Sequence, residues 1–131
     1  MKEKAMELVN RHLVTTTLST ADAEGNVDAA LFNSATMVDE RTVVGAHMSI
    51  RRSYENLLAT RKAVLTVIVP NAQDPILTDG VRLYLDLAAD ETEGEGFDRL
   101  QKWLNQAFGV GFKLQSRLVF KVNEIRPLWE W

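Results

Sequence analysis

The sequence predicts a mainly β protein: a small antiparallel β-barrel with α-helices over its ends. Three observations lead there. About six strand-like runs follow one another through short connections. Two or three stretches with helical apolar spacing are set between and beside them. No internal repeat or linker divides the chain, so residues 1–131 are read as one domain. A chain of this length buries roughly two thirds of its unfolded surface in one core.

Residues 3–12 read as a short helix, with Met6, Val9 and Leu13 on its apolar side. Residues 13–20 are rich in β-branched side chains and read as the first strand. Residues 22–26 then form a hairpin connection, in which Gly25 and Asn26 tolerate positive φ. A second strand is expected over 27–38, and 39–41 turn into a third over 42–46. A helix follows from about residue 50. Residues 63–69 are almost wholly apolar, as in a strand covered on both faces. Residues 70–80 hold two prolines and read as a loop. Residues 81–87 alternate strictly, with Val81, Leu83, Leu85 and Leu87 inward. The acidic stretch 90–98 is expected to be a solvated connection, because its carboxylates lack the spacing of a calcium loop. Phe97, Leu100, Trp103, Leu104 and Phe108 mark an amphipathic helix stopped by Gly109, with Trp103 and Phe108 read as core. Residues 114–125 are the last strand, and 126–131 a tail.

Composition narrows the function. Fifteen basic against 18 acidic residues give a net charge of −3, which argues against a nucleic-acid partner held by bulk electrostatics. With no cysteine, disulfides, thiolate metal sites and cysteine nucleophiles are excluded. His12 and His47 are too far apart in sequence to argue for a metal site. The first seven residues alternate in charge and do not resemble a secretory signal. No apolar run approaches the ~20 residues of a membrane span. The expected location is cytoplasmic, with no membrane partner. No serine has an acid–base partner that suggests a hydrolase. Neither 94–96 nor 109–111 has the third glycine of a dinucleotide fingerprint.

The segment 46–58 is the most informative. Ile50, Tyr54, Leu57 and Leu58 give it one apolar helical face, and Ser49 is the expected N-cap. Arg51, Arg52 and Ser53 then fall in the first turn, beside unpaired backbone N–H groups and the positive end of the dipole. Cations are unfavourable there unless an anion lies between them. A phosphate would satisfy all these donors together. The ordinary role of helix arginines is a solvated surface, but their place directly after a short strand favours the phosphate reading.

The order of these elements resembles the FMN-binding split-barrel family, the pyridoxamine 5′-phosphate oxidase-like superfamily. The likeness is carried by 15–27, by Leu31-Phe32-Asn33-Ser34-Ala35-Thr36, and by the basic helix start with Tyr54-Glu55-Asn56-Leu57-Leu58. It is best over 13–70. The resemblance implies a six-stranded antiparallel Greek-key barrel that forms a homodimer, with FMN in clefts at the subunit boundary. It implies that Arg52 and Ser53 hold the FMN phosphate, helped by Arg51 and by Asn56 on the same side of the helix. Leu31, Phe32, Asn33 and Ser34 correspond to the strand under the isoalloxazine and ribityl groups, and Ala46 and His47 should lie near the ligand. For Asn33 and Ser34 a cross-strand hydrogen bond is the competing role, and for His47 a structural one. Trp129 and Trp131 either cover the neighbouring subunit's flavin or pack the tail onto the barrel.

True pyridoxamine phosphate oxidases carry a C-terminal segment that binds the substrate phosphate. Nothing comparable precedes Trp131, so pyridoxal phosphate synthesis is not the expected reaction. No side chain stands out as catalytic, as expected where the cofactor carries the electrons. The expectation is an FMN-dependent oxidoreductase acting on a small molecule. The alternatives are an FMN carrier passing electrons to a redox partner protein, or a barrel binding another planar ligand such as haem or a deazaflavin.

Overall fold

The β-branched and alternating segments pair into one antiparallel sheet of seven strands among the described residues, with order β2-β1-β5-β6-β7-β4-β3. In this computed structural model the described residues are 1–11, 14–71, 73–74, 76 and 78–130. The strands are β1 (Thr15–Ala21), β2 (Val27–Leu31), β3 (Thr36–Asp39), β4 (Thr42–His47), β5 (Lys62–Val69), β6 (Asp79–Glu91) and β7 (Ser116–Pro127). The helices are α1 (Lys2–Val9), α2 (Arg51–Thr60) and α3 (Glu95–Phe108). No helix among the described residues is long and apolar enough to cross a membrane.

The two edge strands, β2 and β3, are not hydrogen-bonded to each other, yet residues 32–35 alone join them. A link that short lets the ends of β2 and β3 lie at most about 18 Å apart. The sheet must therefore curl until its edges lie side by side, leaving a seam where residues 32–35 pass. Two side chains stitch that seam. Asn33 Oδ1 accepts from Thr16 N–H on β1 at 2.9 Å, and Ser34 Oγ accepts from Ala46 N–H on β4 at 2.9 Å.

This stitching corrects the expected strand count. The run 27–38 is two strands rather than one, because Asn33 and Ser34 spend their side chains on neighbouring strands and bend the chain into a turn. Seven strands replace six.

The curled sheet closes over Leu18, Leu57, Leu65, Leu83, Leu118 and Phe120, all fully buried. Phe32 enters this core from the seam and meets Phe120 edge-on at 6.2 Å. Gly45 makes room for it: a Cβ there would lie 2.2 Å from Phe32 Cζ. The alternation over 81–87 holds, with its four apolar side chains buried. In β5, Ala63, Leu65 and Val67 are buried, but Val64, Thr66 and Ile68 are only half-buried. The expected cover on both faces is incomplete within the single chain.

Other boundaries also shift. The first helix ends at Val9, where Asn10 donates to Met37 O and accepts from Met37 N–H, tying α1 to β3. His12, Leu13 and Trp131 lie outside the described residues. The hairpin after β1 is as expected, with Gly25 at φ +88° and Asp22 Oδ1 accepting from Glu24 and Asn26 N–H. The acidic stretch is not all connection: Asp90 and Glu91 continue β6, paired with Leu118 and Arg117 of β7. Gly109 ends α3 at φ +101°.

Candidate functional site

The chain leaves the end of β4 at His47 and enters α2 at Arg51, and three depressions surround that passage. Ile50, not Ser49, is the N-cap residue, and no side chain caps the helix. The first helical bond runs from Tyr54 N–H to Ile50 O, at 2.8 Å. The amides of the first turn are thus left to solvent or a ligand.

The first cleft, about 260 Å³, lies along the seam. Leu31, Phe32, Asn33 and Ser34 form one wall, Ala46, Met48, Ser49 and Ile50 a second, and Trp103, Leu104 and Phe108 of α3 the third. Five residues proposed on resemblance, 31–34 and Ala46, thus meet in one place. Asn33 and Ser34 make the cross-strand bonds that competed with a flavin role. Because Asn33 spends only its carbonyl oxygen on Thr16, its amide nitrogen stays available to a ligand on this wall.

The aromatic wall was not legible as such. Trp103 and Phe108 are 52% and 57% exposed, packed edge-to-face on each other at 5.9 Å, and are not core. Leu104 alone of α3 is fully buried, in a small cluster with Ala46 and Leu114. Helical spacing reveals an apolar face but not what covers it. Aromatic residues at the edges of that face were the available signal.

The second cleft, about 390 Å³, lies beside the first and shares Met48 and Ser49 with it. His47, Arg51, Tyr54, Glu55 and Gln115 also line it. Because successive strand residues point oppositely, Ala46 faces the first cleft while His47 faces the second, and Met48 borders both. Behind His47 sits a polar cluster drawn from four elements. The imidazole stacks on Tyr54 at 3.9 Å, with Nδ1 3.4 Å from Ser116 Oγ, and the Tyr54 hydroxyl donates to Asp90 Oδ2. Burial holds the His47 pKa below its ordinary value, against the opposing pull of the Asp90 charge. The hydrogen bond to Asp90, with burial, raises that of Tyr54.

The third depression holds Arg52 and Asn56 beside Asp22, Asn26 and Glu55. Arg52 is exposed. Ser53 is buried and donates to Asp28 Oδ2 at 3.0 Å, and Asn56 donates to Thr20 Oγ1 at 3.1 Å. Arg51 pairs with Glu55 at 3.4 Å on the outside. The structure therefore spreads the expected phosphate group around the helix start, with Arg51 and Arg52 on different flanks. Trp129 lies away from these clefts and donates from Nε1 to Thr78 O at 2.7 Å.

No family model and no curated protein matches the sequence. Among solved structures, an FMN-binding protein from Syntrophomonas wolfei subsp. wolfei is 36% identical, with 98% of this chain and 86% of that chain covered and a TM-score of 0.89. The chain belongs to the FMN-binding split-barrel family. More distant solved structures share the fold. HupZ from Group A Streptococcus is 18% identical, covering 98% and 94%, with a TM-score of 0.76. HutZ, the heme storage protein from Vibrio cholerae, is 16% identical, covering 95% and 87%, with a TM-score of 0.62. The seam, with residues 31–34 on one side and the β4–α2 passage on the other, is where this split barrel places its largest concentration of the expected ligand residues.

Proposed function

We propose that the protein binds FMN, with the ring system in the seam cleft and the phosphate at the start of α2, and that it is an FMN-dependent oxidoreductase acting on a small molecule. One observation carries the reading. A cleft with apolar and aromatic walls, edged by the Asn33 amide, opens beside an uncapped helix N-terminus bearing two arginines. Planar rings pack on aromatic side chains, and a phosphate complements unpaired amides and guanidinium groups. Arg52 and Ser53 are the proposed phosphate ligands, Arg51 and Asn56 their helpers, and Leu31, Phe32, Asn33, Ser34 and Ala46 the ring contacts. Ser53 would turn its hydroxyl from Asp28 to the phosphate.

FMN, when bound, supplies the hydride chemistry. The chain's part is to anchor the phosphate, orient the ring and limit access of water. The proposed assembly is a cytoplasmic homodimer with the flavin at the subunit boundary. The half-covered outer face of β5, where Val64 and Ile68 lie, supports it.

The alternative, a carrier passing electrons to a partner protein, draws on the exposed Trp103 and Phe108 of the seam cleft and on the exposed Phe112 packed against Phe108. Flavin reduced and reoxidised by small molecules alone supports the enzyme. Exchange only with a protein partner supports the carrier.

The test is FMN titration by calorimetry with a visible absorption spectrum. Arg52→Ala should weaken affinity by about 1–3 kcal/mol, the scale of a charge-assisted hydrogen bond. A colourless protein that takes up no added FMN overturns the reading.

A further inference from the structure

We propose that Asp28 determines how much the phosphate contributes to ligand binding. Its carboxylate competes with that phosphate for the Ser53 hydroxyl. It thereby narrows the preference for FMN over riboflavin, the same ring system without a phosphate. This assignment rests on the FMN reading above and adds to that site a residue that opposes the ligand.

Ser53 is 1% exposed, and its hydroxyl donates to Asp28 Oδ2 at 3.0 Å. A hydroxyl has one proton to donate. The same hydroxyl is a proposed phosphate ligand, so a phosphate oxygen that takes the proton removes it from Asp28. Ser53 is the one side-chain partner of the Asp28 carboxylate among the described residues, and no cation pairs with it there. Asp28 is half-buried on β2. A carboxylate in that position loses its hydrogen bond and gains an anionic neighbour when the phosphate arrives, and both changes are unfavourable.

The other acidic groups at the helix start are not in this conflict. Asp22 Oδ1 accepts from Glu24 and Asn26 N–H, and Oδ2 accepts from Asn26 Nδ2, all within one hairpin. Glu55 pairs with Arg51. A guanidinium has five N–H groups and can serve a carboxylate and a phosphate together, whereas Ser53 can serve only one of them. The fold keeps Asp28 in place. It lies opposite Thr20 on the β1–β2 ladder, and Asn56, three residues beyond Ser53, donates to Thr20 Oγ1. These two bonds dock one side of α2 on that ladder, with Asp28 against its first turn.

Riboflavin makes no claim on Ser53, so its binding leaves the Ser53–Asp28 bond intact. Asp28 therefore penalises the phosphorylated ligand alone. FMN is held less tightly than the donors at the helix start would hold it without that carboxylate.

The test is calorimetric titration of the full chain with FMN and, separately, with riboflavin. Asp28→Asn removes the charge and keeps an oxygen that accepts from Ser53. It should tighten FMN binding several-fold and leave riboflavin unchanged, whereas a merely structural role would move both ligands together. FMN affinity that stays the same or falls overturns the proposal, as does an equal gain for the two ligands. Where riboflavin binds too weakly to measure, the FMN comparison decides. Should the variant not fold, Asp28→Ser makes the same comparison. Asp22→Asn removes a charge from the neighbouring depression without touching Ser53, and should tighten FMN less. An equal gain there overturns competition for the hydroxyl. FMN bound alike by wild type and Asp28→Asn sinks this inference and leaves the flavin reading standing. FMN taken up by neither sinks both, and FMN taken up by Asp28→Asn alone supports both.

Discussion

Strand β4 passes through two neighbourhoods within six residues. At its first half, Val43 packs into the large core that β1, β5, β6 and β7 enclose, against side chains such as Phe120 that have no exposed surface. At its second half, Ala46 belongs to a separate small cluster with Leu104 and Leu114, only partly shielded by Met48, Phe97 and Leu100. The first is sealed by a curled sheet, the second by one helix with exposed aromatic edges. The seam cleft lies where the two meet. The proposed ligand contacts thus stand on a strand on one side and on a lightly held helix on the other. That is the arrangement expected where a wall must admit a ligand.

The largest effect that would sharpen this contrast is on the core side. Phe120→Ala removes a ring with no solvent exposure that braces Phe32 at the seam. It should cost about 3–5 kcal/mol of unfolding free energy, read from denaturant melts. A loss below that of the Leu104 variant would reverse the ranking of the two regions.

Leu104→Ala comes next. Its side chain is nearly as buried, but its neighbours can close around the gap, so the expected loss is about 2 kcal/mol, the lower end for such a truncation. The same variant should raise hydrogen exchange along α3 and leave β5 and β6 protected. Uniform acceleration throughout the sheet would show that the two regions unfold as one and break the comparison.

Much of the core side was legible beforehand, because its rules are local. The alternation over 81–87 and the apolar run over 63–69 follow strand periodicity, and both became central strands. The turn at Gly25 followed from its need for positive φ. The seam was not legible. Asn33 and Ser34 break an apolar run, but whether they end a strand depends on Thr16 and Ala46, to which the sequence gives no pointer. Asp90 looked like part of a solvated acidic stretch because its partner, Tyr54, is 36 residues earlier. The basic motif does fall at the start of α2, yet local spacing could not show Ser53 facing Asp28 or Arg51 and Arg52 on different flanks. Periodicity specifies which face of an element is apolar; polar contacts between distant elements decide what that face adjoins.

The smallest effect lies at the boundary itself, at His47. Its folded pKa is below the ordinary 6.5, chiefly through burial. As pH falls through that ordinary value the unfolded chain takes up a proton that the folded chain still refuses. Folded stability is therefore full above about 6.5 and declines as pH drops from there toward the lower, folded value, with a slope of at most about 1.4 kcal/mol per pH unit for one proton. His47→Gln should abolish that component of the acid slope, measured as the difference between wild-type and variant melts from neutral pH downward. Because His47 sits on the lightly covered side, protonation should first loosen the end of β4 and the start of β7, where Ser116 pairs with it. Hydrogen exchange at mildly acidic pH should rise there while β5 remains protected. An acid slope identical in wild type and His47→Gln would show that the ring is not held neutral by its surroundings.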